Sequence, residues 1–139
     1  MTTPAPIPGA RPVLCVMSDL MFRSRIDDVT TRLGLPLRAA KNMEQLERHL
    51  ANGLPAFVFL DLECDSIDPL AVIARLRQVP KGVTVPIVAY AGHTNVAALR
   101  SAREAGVDEA LPRSQFTADL SMILAVVAEG ERMNGAAGA

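Results

Sequence analysis

Tryptophan is absent from the 139 residues, tyrosine occurs once and phenylalanine four times, so few large aromatic side chains are available to stack on bases or ligands. The formal net charge is -1 and no basic cluster interrupts it, so the electrostatic footprint of a nucleic-acid binder is missing. Cysteine occurs only as Cys15 and Cys64, each in or beside an apolar run, which fits a reducing compartment rather than a disulfide scaffold. No apolar stretch approaches the roughly 18 residues needed to span a bilayer, because Arg, Asp, Glu or Pro interrupts each one. Residues 1–12 are rich in Pro, Ala and Thr and lack the hydrophobic stretch of a signal peptide. The expectation is a cytoplasmic chain without membrane or nucleic-acid partners.

The motifs of several enzyme classes are also missing. The segment Met17-Ser18-Asp19-Leu20-Met21, which follows the first apolar run, has no glycine, so neither a phosphate-cradling loop nor a dinucleotide fingerprint exists there. There is no G-x-S-x-G elbow, no CxxC pair and no His-Glu-x-x-His. The two histidines, His49 and His93, have no second ligand at metal-site spacing; His93 reads as an exposed loop residue and His49 as lying on the outer side of its helix. An enzyme is not expected.

What remains is a chain that is half hydrophobic and one-fifth charged, long enough for a single domain to bury roughly two-thirds of its unfolded surface without staples. Residues 1–11, with Pro4, Pro6 and Pro8, and the glycine-bearing residues 130–139 read as disordered tails around a domain at 12–129. Residues 13–17, 56–62 and 85–90 are near-continuous apolar runs, as expected of strands covered on both faces; residues 37–40 and 107–111 are weaker strand candidates.

Between the runs lie helical stripes. Phe22, Ile26, Val29 and Leu33 form one, ended by Gly34 and Pro36; Met43, Leu46 and Leu50 form a second, opened by Asn42 and stopped by Gly53. Asp68-Pro69 opens a third helix with Leu70, Ile73 and Leu76 behind it. Thr94 is a candidate cap for a fourth, with Val96 and Leu99 facing in, and Phe116, Leu120, Ile123 and Val127 stripe a fifth. Met122, Leu124, Ala125 and Val126 extend the fifth helix's apolar character beyond one face, so a protein interface at Met122 and Val126, most simply a homodimer, is expected. Five β-α repeats with short connections predict an α/β, flavodoxin-like (βα)5 fold: a doubly wound, parallel five-stranded sheet with helices on both faces.

In such a sheet, ligands sit outside the carboxyl ends of the strands. The sequence places there Ser18 and Asp19; Asp61, Glu63, Cys64 and Asp65; Ala91, Gly92 and His93; and Arg113. Asp61 is the strongest signal, because a carboxylate ending so apolar a strand as Phe57-Val58-Phe59-Leu60 is costly core filler. Asp19 is either the N-cap of the first helix or a metal ligand. Cys64 is an inert loop cysteine or, if exposed beside Arg113, a redox-sensitive thiol; Cys15 reads as core.

The element order, Val13-Leu14-Cys15-Val16, Phe59-Leu60-Asp61-Leu62, Pro86-Ile87-Val88, Ala105-Gly106-Val107-Asp108 and Leu111-Pro112-Arg113-Ser114-Gln115-Phe116 together resemble the receiver domain of two-component response regulators over residues 11–129. The resemblance implies a phosphoacceptor at Asp61. It also implies an acidic pair holding Mg²⁺, a Thr or Ser ending the fourth strand, and a switch aromatic and a lysine on and after the fifth. At those positions stand Met17 and Ser18, with Asp19 immediately following, then Ala91, Ala110 and Arg113. A thioether is a poor Mg²⁺ ligand, so any metal at Asp19 and Asp61 is expected to be weak or absent, and no cofactor is expected. The similar cobalamin-binding domains carry an Asp-x-His-x-x-Gly loop that this chain lacks.

Two functional readings follow. One is a receiver phosphorylated on Asp61 by a histidine kinase. The other, favoured by Met17, Ser18, Ala91 and Ala110, is a stand-alone degenerate receiver, or pseudo-receiver, acting in phosphorelay-type signalling as a protein-interaction module. In that reading a pair between Asp61 and Arg113 is expected to fix the loops in one state.

Overall fold

The computed structural model describes residues 5–78 and 84–137. Five strands, β1 (Val13–Val16), β2 (Leu37–Ala40), β3 (Phe57–Asp61), β4 (Ile87–Ala91) and β5 (Glu109–Pro112), alternate with five helices, α1 (Leu20–Leu33), α2 (Met43–Ala51), α3 (Pro69–Leu76), α4 (Val96–Ala105) and α5 (Arg113–Ala137). All strand pairs are parallel and the order is β2-β1-β3-β4-β5. This is the expected doubly wound flavodoxin-like sheet, with its order reversal between β1 and β3.

Strand residues alternate between two apolar layers, which is why the runs carry no polar face. Leu14, Val16, Val58, Leu60, Ile87 and Ala89 face α2, α3 and α4, whereas Val13, Cys15, Phe59, Val88 and Tyr90 face α1 and α5. The few aromatics are concentrated: the four phenylalanines and one tyrosine all belong to the α1/α5 layer. Phe22 stacks on Tyr90 with centroids 5.0 Å apart, Tyr90 on Phe116 at 4.5 Å, and Phe59 meets Phe116 edge-on at 5.1 Å. Burial pushes the Cys15 thiol, enclosed in this layer, up to about 12.

Helix signals hold, with local shifts. Asn42 caps α2 through the Gln45 N–H and Asp68 caps α3 through the Leu70 N–H, with Pro69 in the first turn. The cap of α4 is Asn95 rather than Thr94, and Val96 and Leu70 point outward, so that Leu99 with Ala102, and Val72 with Ile73 and Leu76, make the buried faces. On α5 the buried stripe is Phe116, Leu120, Leu124 and Ala128; Ile123 and Val127 are only partly covered. His49 is not on the outer side of α2, because its Nε2 lies 2.8 Å from the Ala39 carbonyl oxygen and pins the helix to β2.

The ends of the domain differ most from expectation. Instead of dissolving at Gly130, α5 runs on to Ala137. Glu131, on that extension, is 4% exposed and accepts from the backbone N–H of Arg11 at 2.7 Å and from its guanidinium at 2.8 Å. Upstream, Ile7 is buried and its N–H donates to the Gly34 carbonyl oxygen at 2.9 Å. Gly34 ends α1 at φ +79°, and a Cβ there would lie 2.7 Å from the Ala5 carbonyl oxygen, so only glycine allows both the turn and the close approach. An ion pair and a buried isoleucine thus order segments that composition alone marks as tails. Residues 1–4 and 138–139 of those tails lie outside the described residues. Among the described residues no helix is long and apolar enough to cross a membrane.

Candidate functional site

The loops at the carboxyl ends of β1, β3, β4 and β5 meet beside the β1/β3 reversal. Residue parity decides what each strand contributes. Asp61 continues the Phe57, Phe59 row and Met17 the Val13, Cys15 row, so both face the α1/α5 layer, while Ala91 faces the opposite one. Asp19 then turns the chain into α1, its Oδ1 accepting the N–H of Met21 at 3.0 Å and of Phe22 at 3.1 Å. Asp19 is therefore the N-cap of α1, where two free helix-end donors need an acceptor.

Asp61 is 5% exposed, and its Oδ1 accepts the Glu63 N–H at 2.8 Å. Burial pushes its carboxyl above the usual range; the Glu63 N–H and the charge of Arg113 pull it down without cancelling the effect. Arg113 opens α5 and lies over the Tyr90 ring at 5.4 Å and the Phe22 ring at 5.9 Å, within cation–π reach. Its guanidinium is 3.4 Å from Asp19 Oδ2 and 3.6 Å from Glu63 Oε1. The Glu63 carboxylate also accepts the Gly92 N–H at 3.0 Å and the Asn95 side-chain amide at 3.1 Å. Those two donors, with Arg113, hold Glu63 below the usual carboxylate range.

The expected Asp61–Arg113 pair does not form: among the described residues Arg113 pairs with Asp19 and Glu63, and reaches Asp61 only as a distant charge. The rings of Phe22 and Tyr90 carry the guanidinium outward toward the exposed carboxylates, and Asp61 is already engaged by a backbone donor. Glu63, a strand-end residue without an assigned role in the sequence reading, is the hub of the cluster. Its signal is its place two residues past Asp61; its partners come from the ends of β4 and β5 and cannot be read from spacing.

The remaining site residues sort by burial. Met17 is 1% exposed and its sulfur accepts from the Tyr90 hydroxyl at 3.6 Å, so this position is apolar core. Ser18 is exposed, and its hydroxyl oxygen lies 3.8 Å from Cys64 Sγ. Cys64 is not an exposed thiol; it is 6% exposed and lies 3.3 Å from the Ser66 hydroxyl. Ala91 and Ala110 are buried and offer no side-chain donor, and His93 is exposed.

This donor set does not fit Mg²⁺, which requires several oxygens in octahedral array. Asp19 is divided between the helix cap and Arg113, Met17 supplies only a buried thioether, and a guanidinium stands among the carboxylates. No group of three metal-ligating side chains occurs among the described residues.

Comparison with known proteins agrees with this architecture. No family model and no curated protein matches the sequence. Solved structures do match. A protein from Chloroflexus aurantiacus J-10-fl classed as a response regulator superposes with a TM-score of 0.72 at 22% identity, over 86% of this chain and 98% of that one. The receiver domain of NtrX from Brucella abortus gives 0.69 at 22% identity, over 84% and 98%; in the longer NtrX structure the match spans 28% of that chain. The receiver domain of the sensor histidine kinase PA1611 from Pseudomonas aeruginosa PAO1, which has a magnesium ion coordinated in its active-site cleft, gives 0.70 at 18% identity, over 87% and 99%. The chain therefore has the fold of response-regulator receiver domains, and the Asp61 cleft lies where that fold gathers the carboxyl ends of its strands.

Proposed function

We propose that the chain is a degenerate receiver acting in phosphorelay-type signal transduction as a protein-interaction module, held in one state with little or no phosphorylation of Asp61. The observation that carries the reading is the fate of the two positions where a receiver keeps its metal-holding acids. Met17 is sealed in the aromatic layer and Ser18 carries no charge, while the nearby Asp19 caps α1. Phosphoryl transfer depends on neutralising charge with metal and on preorganised donors. The Ala91 methyl cannot replace a hydroxyl donor, and Arg113 is already paired. Acetyl phosphate with Mg²⁺ is expected to leave the intact mass unchanged; stoichiometric labelling would favour the phosphorylated alternative.

The interaction surface belongs to α5. Met122 and Val126 are 63% and 69% exposed on α5. They border a groove of about 500 Å³ that reaches Phe57, Val88 and Ile123. Apolar side chains this exposed beside an apolar groove suit a protein partner, and methionine adapts its shape to one. A second copy of the chain is the partner proposed. Sedimentation tests it, with a dimer expected for the wild type and a monomer for Val126→Glu.

A further inference from the structure

A loop carboxylate as exposed as Glu63, at 38%, normally faces water. Here both oxygens are taken. Oε1 accepts the Gly92 N–H at 3.0 Å and lies 3.6 Å from the Arg113 guanidinium, and Oε2 accepts the Asn95 amide at 3.1 Å. The Asn95 amide is aimed because the opposite atom of the same group, Oδ1, caps α4 at the Ala98 N–H, 3.3 Å away. A backbone N–H, a side-chain amide and a guanidinium, contributed after β4 and β5, therefore converge on one anion from the loop after β3. That combination is the donor set proteins use for small oxyanions. The backbone N–H of Glu63 meanwhile donates to Asp61, so the filled pocket adjoins the Asp61 carboxylate.

We propose that the Glu63 carboxylate is an internal ligand: it fills the oxyanion pocket beside Asp61, ties the loops after β3, β4 and β5 into one arrangement, and excludes an external phosphate group. This deepens the reading of an unphosphorylated module, on which it rests, by naming what holds the single state. Glu63 is on the surface, so its replacement removes the ligand without opening a core cavity.

The test uses inorganic phosphate as the probe, with amide chemical shifts and hydrogen exchange read in the full chain. In Glu63→Ala, the Gly92 amide is expected to exchange about tenfold faster than in the wild type, the worth of one charge-assisted hydrogen bond. Phosphate should then bind about tenfold more tightly than to the wild type, moving the Gly92 and Asn95 signals. Glu63→Gln, which keeps the size and one acceptor but loses the charge, should fall between. Gly92 exchange unchanged in both variants, or a wild type that binds phosphate as well as Glu63→Ala, overturns the internal ligand and leaves the unphosphorylated module standing. Labelling of wild-type Asp61 by a phosphodonor overturns both.

Discussion

Burial of Asp61 disfavours its charged form, and that has a measurable sign. Its folded carboxyl titrates above the ordinary value, mainly through burial. Folding therefore penalises the charged form, so stability present below the unfolded value is lost as pH rises through the folded one. Asp61→Asn removes the charge and keeps an acceptor for the Glu63 N–H. Denaturant midpoints should show it more stable than wild type by on the order of 1 kcal/mol at pH 7, with no gain below about pH 4. Asp61 was legible from sequence because an acid ending a buried strand contradicts its neighbours. The partner of Arg113 was not, because which carboxylate it meets depends on the rings of Phe22 and Tyr90 beneath it, and those come from α1 and β4.

Among the elements, α5 departs furthest from its sequence pattern. Its sequence pattern points to Ile123 and Val127 as the continuation of the buried stripe, with Leu124 beyond it, whereas packing against β4 and α1 buries Leu124 and Ala128 instead. Its last turns look disordered by composition, yet the Arg11–Glu131 contact fixes them over a sequence separation that no local signal reports. Burial pushes the Glu131 carboxyl up, and hydrogen bonds from the Arg11 side chain and backbone outweigh it, leaving the carboxyl below its ordinary range. That contribution is present above the unfolded value and lost as pH falls through the folded one. Arg11→Ala should cost about 1–2 kcal/mol at neutral pH, discounted because Arg11 is half exposed, with the difference from wild type shrinking in acid. Thermal unfolding at both pH values checks it. Val126→Glu, by contrast, should move monomer stability by no more than about 0.5 kcal/mol while abolishing self-association. Loss of folding in that variant would place Val126 in the core rather than at an interface.

For the whole molecule, strand periodicity and helix caps carried the topology, since each apolar run alternates between two helix layers and only a parallel sheet serves both. The same topology brings four strand ends together and so builds the cleft whatever residues occupy it. A buried thioether, a hydroxyl, two alanines and an arginine paired with Glu63 and Asp19 fill a receiver-fold cleft with contacts already made. We propose that this cleft is closed to phosphoryl chemistry. The most direct measurement follows the backbone amides of residues 61–63, Gly92 and Arg113 during titration with Mg²⁺ and fluoroberyllate, paired with intact mass after acetyl phosphate treatment. Unmoved amides and an unmodified mass are expected in the wild type. Saturable, Mg²⁺-dependent shifts together with a phosphoryl adduct that disappears in Asp61→Ala would contradict it.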